Sequence, residues 1–412
     1  MLEYKGGVNY IVLLTFIMQL FHHYHRTRTH HIMHTEFALY ELSVWLHVFS
    51  RSLISVFIPI LLLQTGYSIE SIVMYYFFYH FFDVPLNFVA DWLIRIIGAR
   101  WVVIIGSLSS ITFFVGLYNL RQDNWPLLVC IALFAAIYDA FYWVAHLYIF
   151  MKCSTHKQNA VKDTSALYIV QQLGSMLAPA FGALILIFFN QQVLIFISVI
   201  ILLFSIWPLF YIKNIQDTSL EKRKSLLTYL RSSRNVRKFF PRGLYAVHVI
   251  AEDIIWPMFV FVIFGTIESV AYIPVIISFT TMVFIYASGK IQKRRVFTLI
   301  LGSIFMGIVW IFRLLFEYTS LYYISVFFMG LLSVFVAIPI ESIIFETGKK
   351  SDTLLTSTVL NSTSMFFKLL MCTILLIMIH VFHVSFVIAA LSMFALAICS
   401  RFFSEYSTQR AS

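Results

Sequence analysis

The stretch HVFSRSLISVFIPILLLQTGYSIESIV, residues 47–73, has a counterpart in HVIAEDIIWPMFVFVIFGTIESVAYIP, residues 248–274. A second pair of similar stretches follows, with GARWVVIIGS beginning at residue 98 and KRRVFTLILGS at residue 293. The stretches of the first pair are apolar over a length that can cross a lipid bilayer. The repeat therefore predicts two similar halves, each built from membrane-spanning helices.

Around this repeat, roughly twelve apolar stretches of about 20 or more residues occupy most of the chain. We number them spans 1 to 12, and they cover residues 38–64, 69–91, 99–119, 126–151, 162–188, 191–212, 242–265, 268–288, 296–316, 319–345, 353–379 and 383–403. Helices are the expected spanning element, because they satisfy their own backbone hydrogen bonds in lipid. The pattern predicts an all-α polytopic membrane protein with twelve transmembrane helices in two pseudo-symmetric six-helix bundles.

The composition is typical of a membrane protein, because 60% of the residues are hydrophobic and only 12% are charged. Soluble proteins average about 25% charged residues. The net charge of +10 is compatible with nucleic-acid binding, but the basic residues are spread over loops that adjoin anionic lipid headgroups. We therefore expect membrane lipids as partners and no nucleic acid. The four cysteines lie in spans or at the cytoplasmic face, so no disulfide framework is expected.

Lysines and arginines fall almost entirely on alternate loops, which places both termini in the cytoplasm of a multi-pass cell-membrane protein. The chain divides into an N-terminal segment (1–37), a six-helix bundle (38–212), a basic cytoplasmic linker (213–241) and a second six-helix bundle with a short tail (242–412). The apolar run at 8–21 is short for a span and is expected to form an interfacial helix. The chain is expected to act as a monomer.

A histidine-rich tract follows that run, with His22, His23, His25, His30, His31 and His34. Such a density is compatible with metal binding or pH sensing, because imidazole is both a ligand and a titrating group. We interpret the tract as a polar flank beside the membrane and predict no metal site.

The segment NFVADWLIRIIGARW lies between spans 2 and 3 and contains Asp91, Arg95, Gly98 and Arg100. It resembles the motif G-x-x-x-D-[RK]-x-G-[RK]-[RK] of the major facilitator superfamily, with four more residues between the aspartate and the glycine. Asn87 stands at the first glycine position, and the second half carries a partial copy, GKIQKRRV, with Gly289 and Arg294. The resemblance extends over essentially the whole chain from about residue 38 and implies a charge latch that opens and closes with the halves. Alternatively, the arginines only anchor the topology.

Span 5 contains LGSMLAPAFGALI, which resembles the G-x-x-x-G-P-x-x-G-G motif of proton-coupled exporters in the same superfamily. Gly174, Pro179 and Gly182 match that motif. Small residues let helices approach closely, and proline bends a span. The resemblance implies an exporter, whereas helix packing alone is the structural alternative.

Ionisable side chains near the middle of the spans indicate where function resides. They are Arg51, Asp83, Asp139, Glu252, Asp253 and Lys368. Each charge at the bilayer centre costs roughly 2.5–3.5 kcal/mol, so these groups must face one another or a wet cavity. Acidic groups outnumber basic ones, which favours a cationic or protonatable substrate, or protons as the coupling ion.

The resemblance implies that spans 1, 4, 7 and 10 line a central cavity. Polar and aromatic side chains share helix faces with the charged groups, namely Tyr142, Trp143 and His146 in span 4, and His248 and Trp256 in span 7. The two tryptophans are suited to pack an organic cation. Asp139 and His146 are expected to form a proton or cation site, with a structural hydrogen bond as the alternative. Glu341, near the cytoplasmic end of span 10, is interpreted as a gate residue.

Two ion pairs are expected among the remaining charges. The repeat sets Arg51 against Glu252 at comparable depth, so we predict that these two residues pair across the cavity. Arg313 and Glu317 lie one helical turn apart on span 9, where a local ion pair is expected.

The sequence thus predicts a secondary active transporter that works by alternating access and exports a small amphiphilic or cationic molecule in exchange for protons. An importer of a sugar, peptide or other metabolite on the same fold is the first alternative. A membrane-embedded enzyme or a non-transporting sensor is less favoured, because the sequence has no soluble domain, nucleotide-binding loop, H-E-x-x-H motif or metal-ligand spacing. We expect no catalytic residues and no cofactor.

Cysteines introduced singly at positions 66, 225 and 350 test the predicted topology in a background without the native cysteines. Position 66 should react with a membrane-impermeant thiol reagent applied to intact cells. Positions 225 and 350 should react only in everted vesicles, because they lie in basic, cytoplasmic loops. Labelling of all three positions from one side would contradict the twelve-span topology.

Overall fold

The computed structural model describes residues 31–153, 160–215, 233–287, 295–315, 319–350 and 352–400. Every regular element in these ranges is helical, as the sequence predicts. Several predicted features lie outside the described residues: the interfacial run at 8–21, most of the histidine-rich tract, most of the linker, Gly289 and Arg294.

The first half contains spans 1 to 6. Span 1 comprises His31–Ser52, Ser55–Phe57 and Ile58–Gln64, span 2 is Ile69–Ile97, span 3 is Ala99–Asn119, span 4 is Trp125–Cys153, span 5 is Ala160–Phe188, and span 6 comprises Gln191–Ile206 and Trp207–Tyr211. Polar caps begin two of these helices, since Ser68 Oγ accepts the Ser71 N–H at 3.2 Å and Asn190 Oδ1 accepts the Val193 N–H at 2.9 Å.

The second half contains spans 7 to 12. Span 7 comprises Ser233–Ile250, Ala251–Ile255 and Trp256–Phe264, span 8 is Ile267–Ala287, span 9 is Arg295–Leu315, span 10 is Thr319–Lys350, span 11 is Thr353–Ile377, and span 12 is Val381–Cys399. Span 7 ends at Gly265, whose φ of +68° is left-handed and suits glycine. Span 11 begins at Asp352, whose carboxylate accepts the Leu355 N–H at 3.0 Å.

Eleven of the described helices are long and apolar enough to cross a membrane. Span 2 differs because it carries Glu70, Asp83, Asp91 and Arg95 within one helix. It packs against spans 4 and 11 and completes the bundle. The prediction of an all-helical polytopic fold is confirmed.

Spans 1 and 7 are both interrupted, and at equivalent positions of the sequence repeat. Span 1 loses its α-helical form at Leu53–Ile54, and span 7 forms a π-helical turn over Ala251–Ile255. A proline follows each interruption, Pro59 in span 1 and Pro257 in span 7, and proline cannot donate to the preceding turn. A π-helical turn re-aims side chains within a helix and frequently marks a functional site.

Span 5 approaches the interruption in span 1 through glycine. A Cβ atom at Gly182 would collide with the carbonyl oxygen of Leu53 and with the ring of Phe57. One at Gly174 would lie 3.2 Å from the carbonyl oxygen of Trp45. The small residues of span 5 therefore bring its backbone against span 1.

The two halves meet mainly along two helix pairs, spans 2 and 11 and spans 5 and 8. Ser175 of span 5 and Ser278 of span 8 have their hydroxyl oxygens 3.1 Å apart. At the end predicted to be cytoplasmic, the rings of Phe150 in span 4 and Phe345 in span 10 lie 5.3 Å apart. The halves are in contact at this end of the bundle.

Gly182→Val should destabilise the protein by roughly 1–3 kcal/mol, because the added methyl groups force span 5 away from Leu53. Thermal unfolding of the purified protein measures the change. Leu184→Val is the matched control, since Leu184 lies on the same helix and is 48% exposed. An equal melting temperature for the Gly182 variant and the control would contradict this close packing.

Candidate functional site

Two acids and two amides from spans 2, 4 and 11 meet at the boundary between the halves. Asn87 Nδ2 donates to Asp83 Oδ1 at 2.6 Å, and Asn87 Oδ1 accepts from Asn361 Nδ2 at 2.8 Å. The same Asn361 nitrogen lies 3.5 Å from Asp139 Oδ2. All four side chains are buried. We call Asp83, Asn87, Asp139 and Asn361 the acid–amide cluster.

The carboxyl groups of Asp83 and Asp139 are close enough to act on each other directly. Asp83 Oδ2 is buried and has no hydrogen-bond partner among the described residues. Two buried carboxylates this close repel strongly unless a proton lies between them. The arrangement is therefore chemically suited to hold one exchangeable proton.

Asn87 and Asn361 are candidate site residues that the predicted set does not include. Asn87 lies one helical turn beyond Asp83 on span 2, and this spacing places an amide on the same helix face as the acid. Asn361 supplies the link from the first half to the second. Whether Asn361 reaches Asn87 depends on how span 11 is rotated against span 2, and no local pattern in the sequence specifies that rotation.

A ladder of stacked rings fills the space between spans 1 and 4. The rings of His47 and Tyr142 lie 3.7 Å apart at 9°, and Tyr142 stacks on His146 at 5.5 Å. His146 Nδ1 is 2.5 Å from the hydroxyl oxygen of Tyr40, and Trp143 meets the His146 ring edge-on. The described residues do not bring Asp139 and His146 together, because His146 bonds to Tyr40 while Asp139 faces Asn361 and Asp83.

Arg51 also belongs to the first half. Its Nη1 donates to Ser110 Oγ at 3.1 Å, and its guanidinium lies 4.3 Å from the ring centre of Tyr138. The ring of Phe114 lies at 5.3 Å from the same group. Aromatic faces stabilise a cation where no carboxylate is within reach.

Glu252 and Arg313 form a bidentate ion pair inside the second half. Arg313 Nη1 and Nη2 donate to the two carboxylate oxygens of Glu252 at 2.5 and 3.0 Å. The guanidinium lies 3.8 Å from the ring centre of Trp256 and 4.7 Å from that of Trp310. His248 Nδ1 accepts from Trp310 Nε1 at 2.9 Å and closes the group.

This ion pair overturns one prediction. The pairing of Arg51 with Glu252 is wrong, because each residue faces the interior of its own half and Arg313 occupies the Glu252 carboxylate. The predicted local pair between Arg313 and Glu317 involves Glu317, which lies outside the described residues. The face of Trp256 that was expected to pack a substrate cation holds Arg313 instead.

The predicted latch residues are divided between two places. Arg95 Nε donates to Asp91 Oδ2 at 2.9 Å, Arg95 Nη2 lies 4.0 Å from Asp352 Oδ2, and Thr358 Oγ1 donates to Asp91 Oδ1 at 3.3 Å. Asp352 and Thr358 belong to span 11, so this group joins the halves. Arg100 lies apart from it, since its Nη1 donates to the Ile212 carbonyl at 3.1 Å.

Gly98 and Glu341 support their own halves. Gly98 has a φ of +87° and leaves room for Asn214, whose Nδ2 donates to the Ile97 carbonyl at 2.8 Å. Glu341 accepts from Arg242 at 2.8 Å, and Arg242 Nε also donates to Ser364 Oγ at 3.1 Å. Arg242 thus ties the beginning of span 7 to span 10 through Glu341 and to span 11 through Ser364.

The family model described as Major Facilitator Superfamily matches residues 41–367. The chain belongs to the major facilitator superfamily. It is therefore a multi-pass membrane protein and a secondary transporter of small molecules, and not an enzyme. No curated protein matches the chain in sequence.

Solved structures of the superfamily share this fold at low identity. The human organic anion transporter MFSD10 (TETRAN) superposes with a TM-score of 0.66 at 11% identity, over 90% of this chain and 99% of that one. The transporter FucP in the outward conformation gives 0.63 at 13% identity, over 89% and 98% of the two chains. A structure of the E. coli fucose:proton symporter FucP gives 0.64 at 13% identity with the same coverage. These likenesses show the fold alone.

Glu252→Ala and Arg313→Ala should each lower the free energy of unfolding by about 3–5 kcal/mol, because each leaves a buried charge without its partner. The double variant should be more stable than the sum of the single changes predicts, by at least about 1 kcal/mol. Reversible unfolding in mixed micelles measures the three values.

The matched control is the cycle of Arg51→Ala with Glu252→Ala, which should be additive within about 0.5 kcal/mol. If the Arg51 cycle showed coupling and the Arg313 cycle were additive, Glu252 would pair with Arg51, as the repeat predicts, and not with Arg313.

Proposed function

We propose that this transporter is a proton-coupled exporter of a small amphiphilic or cationic molecule, acting as a monomer in the cell membrane. The acid–amide cluster is its proton site. One observation carries this assignment: two buried acids of one half, Asp83 and Asp139, meet Asn361 of the other half. A proton bound there acts on the contact between the halves.

The two charge states of the cluster hold span 11 with different strength. With a proton between Asp83 and Asp139, the pair carries one negative charge and the repulsion between the carboxylates is removed. After the proton leaves, the Asn361 amide donates to a fully charged carboxylate, and charge-assisted hydrogen bonds are roughly twice as strong as neutral ones. Protonation therefore biases the equilibrium between conformations of the two halves.

The group formed by Asp91, Arg95, Asp352 and Thr358 serves as the latch in this proposal. It joins spans 2 and 11, the same helices that the acid–amide cluster joins through Asn87 and Asn361. Opening at this end requires these contacts to break. Both polar groups lie along one helix pair, so a change at the proton site is transmitted to the latch by the rotation of one helix against the other.

Export is the direction favoured by span 5. Its glycine and proline residues resemble the exporter motif, and Gly182 places span 5 against the interruption of span 1. Antiport results when the proton and the substrate favour opposite conformations of the halves. An importer on the same fold is the alternative, and the direction of transport distinguishes the two.

Asp139→Asn should abolish substrate-driven proton flux, because an amide beside Asp83 cannot hold or release the shared proton. Purified protein is reconstituted in liposomes that contain a pH-sensitive dye, and a panel of organic cations and amino-bearing amphiphiles is added. At least one compound should release protons through the wild-type protein, and the variant should lose ten-fold or more of that rate.

Asp123→Asn is the matched control, because Asp123 lies in a loop with a φ of +60°, a conformation that asparagine also adopts readily. Its flux should equal that of the wild type. Full proton flux in a folded Asp139→Asn variant would remove the cluster as the proton site. Uptake into right-side-out vesicles without movement into everted vesicles would identify an importer.

A further inference from the structure

Asp253 and Lys368 are two opposite charges inside the bundle. Asp253 lies on the π-helical turn of span 7, and its side chain remains accessible although the neighbouring Ala251, Glu252 and Ile255 are buried. Lys368 of span 11 is partly accessible and acts electrostatically on Asp253. Among the described residues, neither side chain forms a hydrogen bond or an ion pair.

The third side of this space is formed by span 2. His80 is 1% exposed, and both of its ring nitrogens lack a hydrogen-bond partner among the described residues. Lys368 acts electrostatically on His80 as well as on Asp253. The His80 ring stacks on Tyr79 at 4.6 Å and on Tyr76 at 6.4 Å, and Tyr76 lies within electrostatic range of Asp253.

Unsatisfied opposite charges in a membrane interior require an explanation. Glu252, the neighbour of Asp253, is paired with Arg313 and closed off by rings. Asp253 and Lys368 act on each other electrostatically without forming an ion pair, so their charged ends are near each other but not in contact. An unpartnered charge at this depth is costly unless water or a ligand satisfies it. A bound molecule displaces that water, so one that carries both charges satisfies both groups, whereas a singly charged molecule leaves one of them dehydrated without a partner.

We propose that Asp253 and Lys368 are the two ends of a substrate site for a zwitterion. Asp253 binds the ammonium group, Lys368 binds the carboxylate or another anionic group, and His80 donates a hydrogen bond at the anionic end. Tyr76 and Tyr79 pack the apolar part of the substrate. This inference rests on the proposed transport function and narrows its substrate class. The site adjoins the acid–amide cluster, since Lys368 also acts electrostatically on Asp83, but neither of its two charged ends belongs to that cluster.

Matched sets of probes test the charge requirement. Each set contains a zwitterion, its amine and its acid on one carbon skeleton: phenylalanine with phenethylamine and hydrocinnamate, γ-aminobutyrate with butylamine and butyrate, and ε-aminocaproate with hexylamine and hexanoate. Binding is measured by thermal-shift titration of the purified protein at one pH without any gradient. In at least one set, the zwitterion should bind the wild-type protein ten-fold or more tightly than either singly charged analogue.

Two variants reverse the preference. Asp253→Asn should bind the acid of that set better than the zwitterion, and Lys368→Met should bind the amine better, with a loss of zwitterion affinity of ten-fold or more in each. Asp123→Asn and Lys152→Met are the matched controls, and both should retain the wild-type order. If either site variant fails to fold, Asp253→Glu and Lys368→Arg keep the charge and should keep the preference for the zwitterion.

Three results would overturn the proposal: no zwitterion binds in any set, a singly charged analogue binds the wild-type protein as well as its zwitterion does, or the variants leave the order unchanged. These results are separable from a failure of the proposed function. If the wild-type protein prefers zwitterions but shows no proton flux, the proton coupling is rejected and the zwitterion site is supported. If Asp139→Asn loses proton flux but the wild-type protein shows no preference for zwitterions, the proton coupling is supported and the zwitterion site is rejected.

Discussion

A charged group inside a bilayer is costly unless a partner or water satisfies it, and this transporter satisfies its charges in two ways within its halves. Arg313 and Glu252 satisfy each other between the rings of two tryptophans. Arg51 rests on aromatic faces and donates to Ser110. Every charge in these two groups is satisfied. Removing one member of the ion pair leaves a buried charge, and removing Arg51 leaves its aromatic rings without the cation. They stabilise the halves as rigid bodies, which a rocking mechanism requires.

Three ionisable groups near the boundary between the halves form no ion pair among the described residues. Asp83 has one buried oxygen without a hydrogen-bond partner there, and Asp253 and Lys368 act on each other without contact. Such groups can gain a proton or a ligand, whereas completed pairs cannot. The contrast between Glu252 and Asp253 is the sharpest, because adjacent residues on one π-helical turn point to a closed ion pair and to an open space. The π-helical turn lets the neighbouring side chains of Glu252 and Asp253 point in different directions.

Backbone interruptions make this division possible. Span 1 breaks beside Leu53, and Gly182 of span 5 leaves room for the displaced carbonyl group. Span 7 forms its π-helical turn at the equivalent position of the second half. A regular helix would turn its successive side chains by a constant angle, so charges near the break would be presented differently. The repeat has thus preserved an irregular backbone while the side chains at the two breaks have diverged into different roles.

Hydropathy and the internal repeat were enough, by themselves, to place the spans and the superfamily fold, because the length of an apolar run depends only on neighbours in sequence. They also located Asp83, Asp139, Asp253 and Lys368 at mid-membrane depth, since depth follows from position within a run. Neither hydropathy nor the repeat could predict which side chain each of these charges contacts. The repeat made Arg51 the apparent partner of Glu252, because equivalent positions have similar depth. Depth does not specify which way a helix is rotated, and only the packing of distant spans decided that each charge turned to a different neighbour.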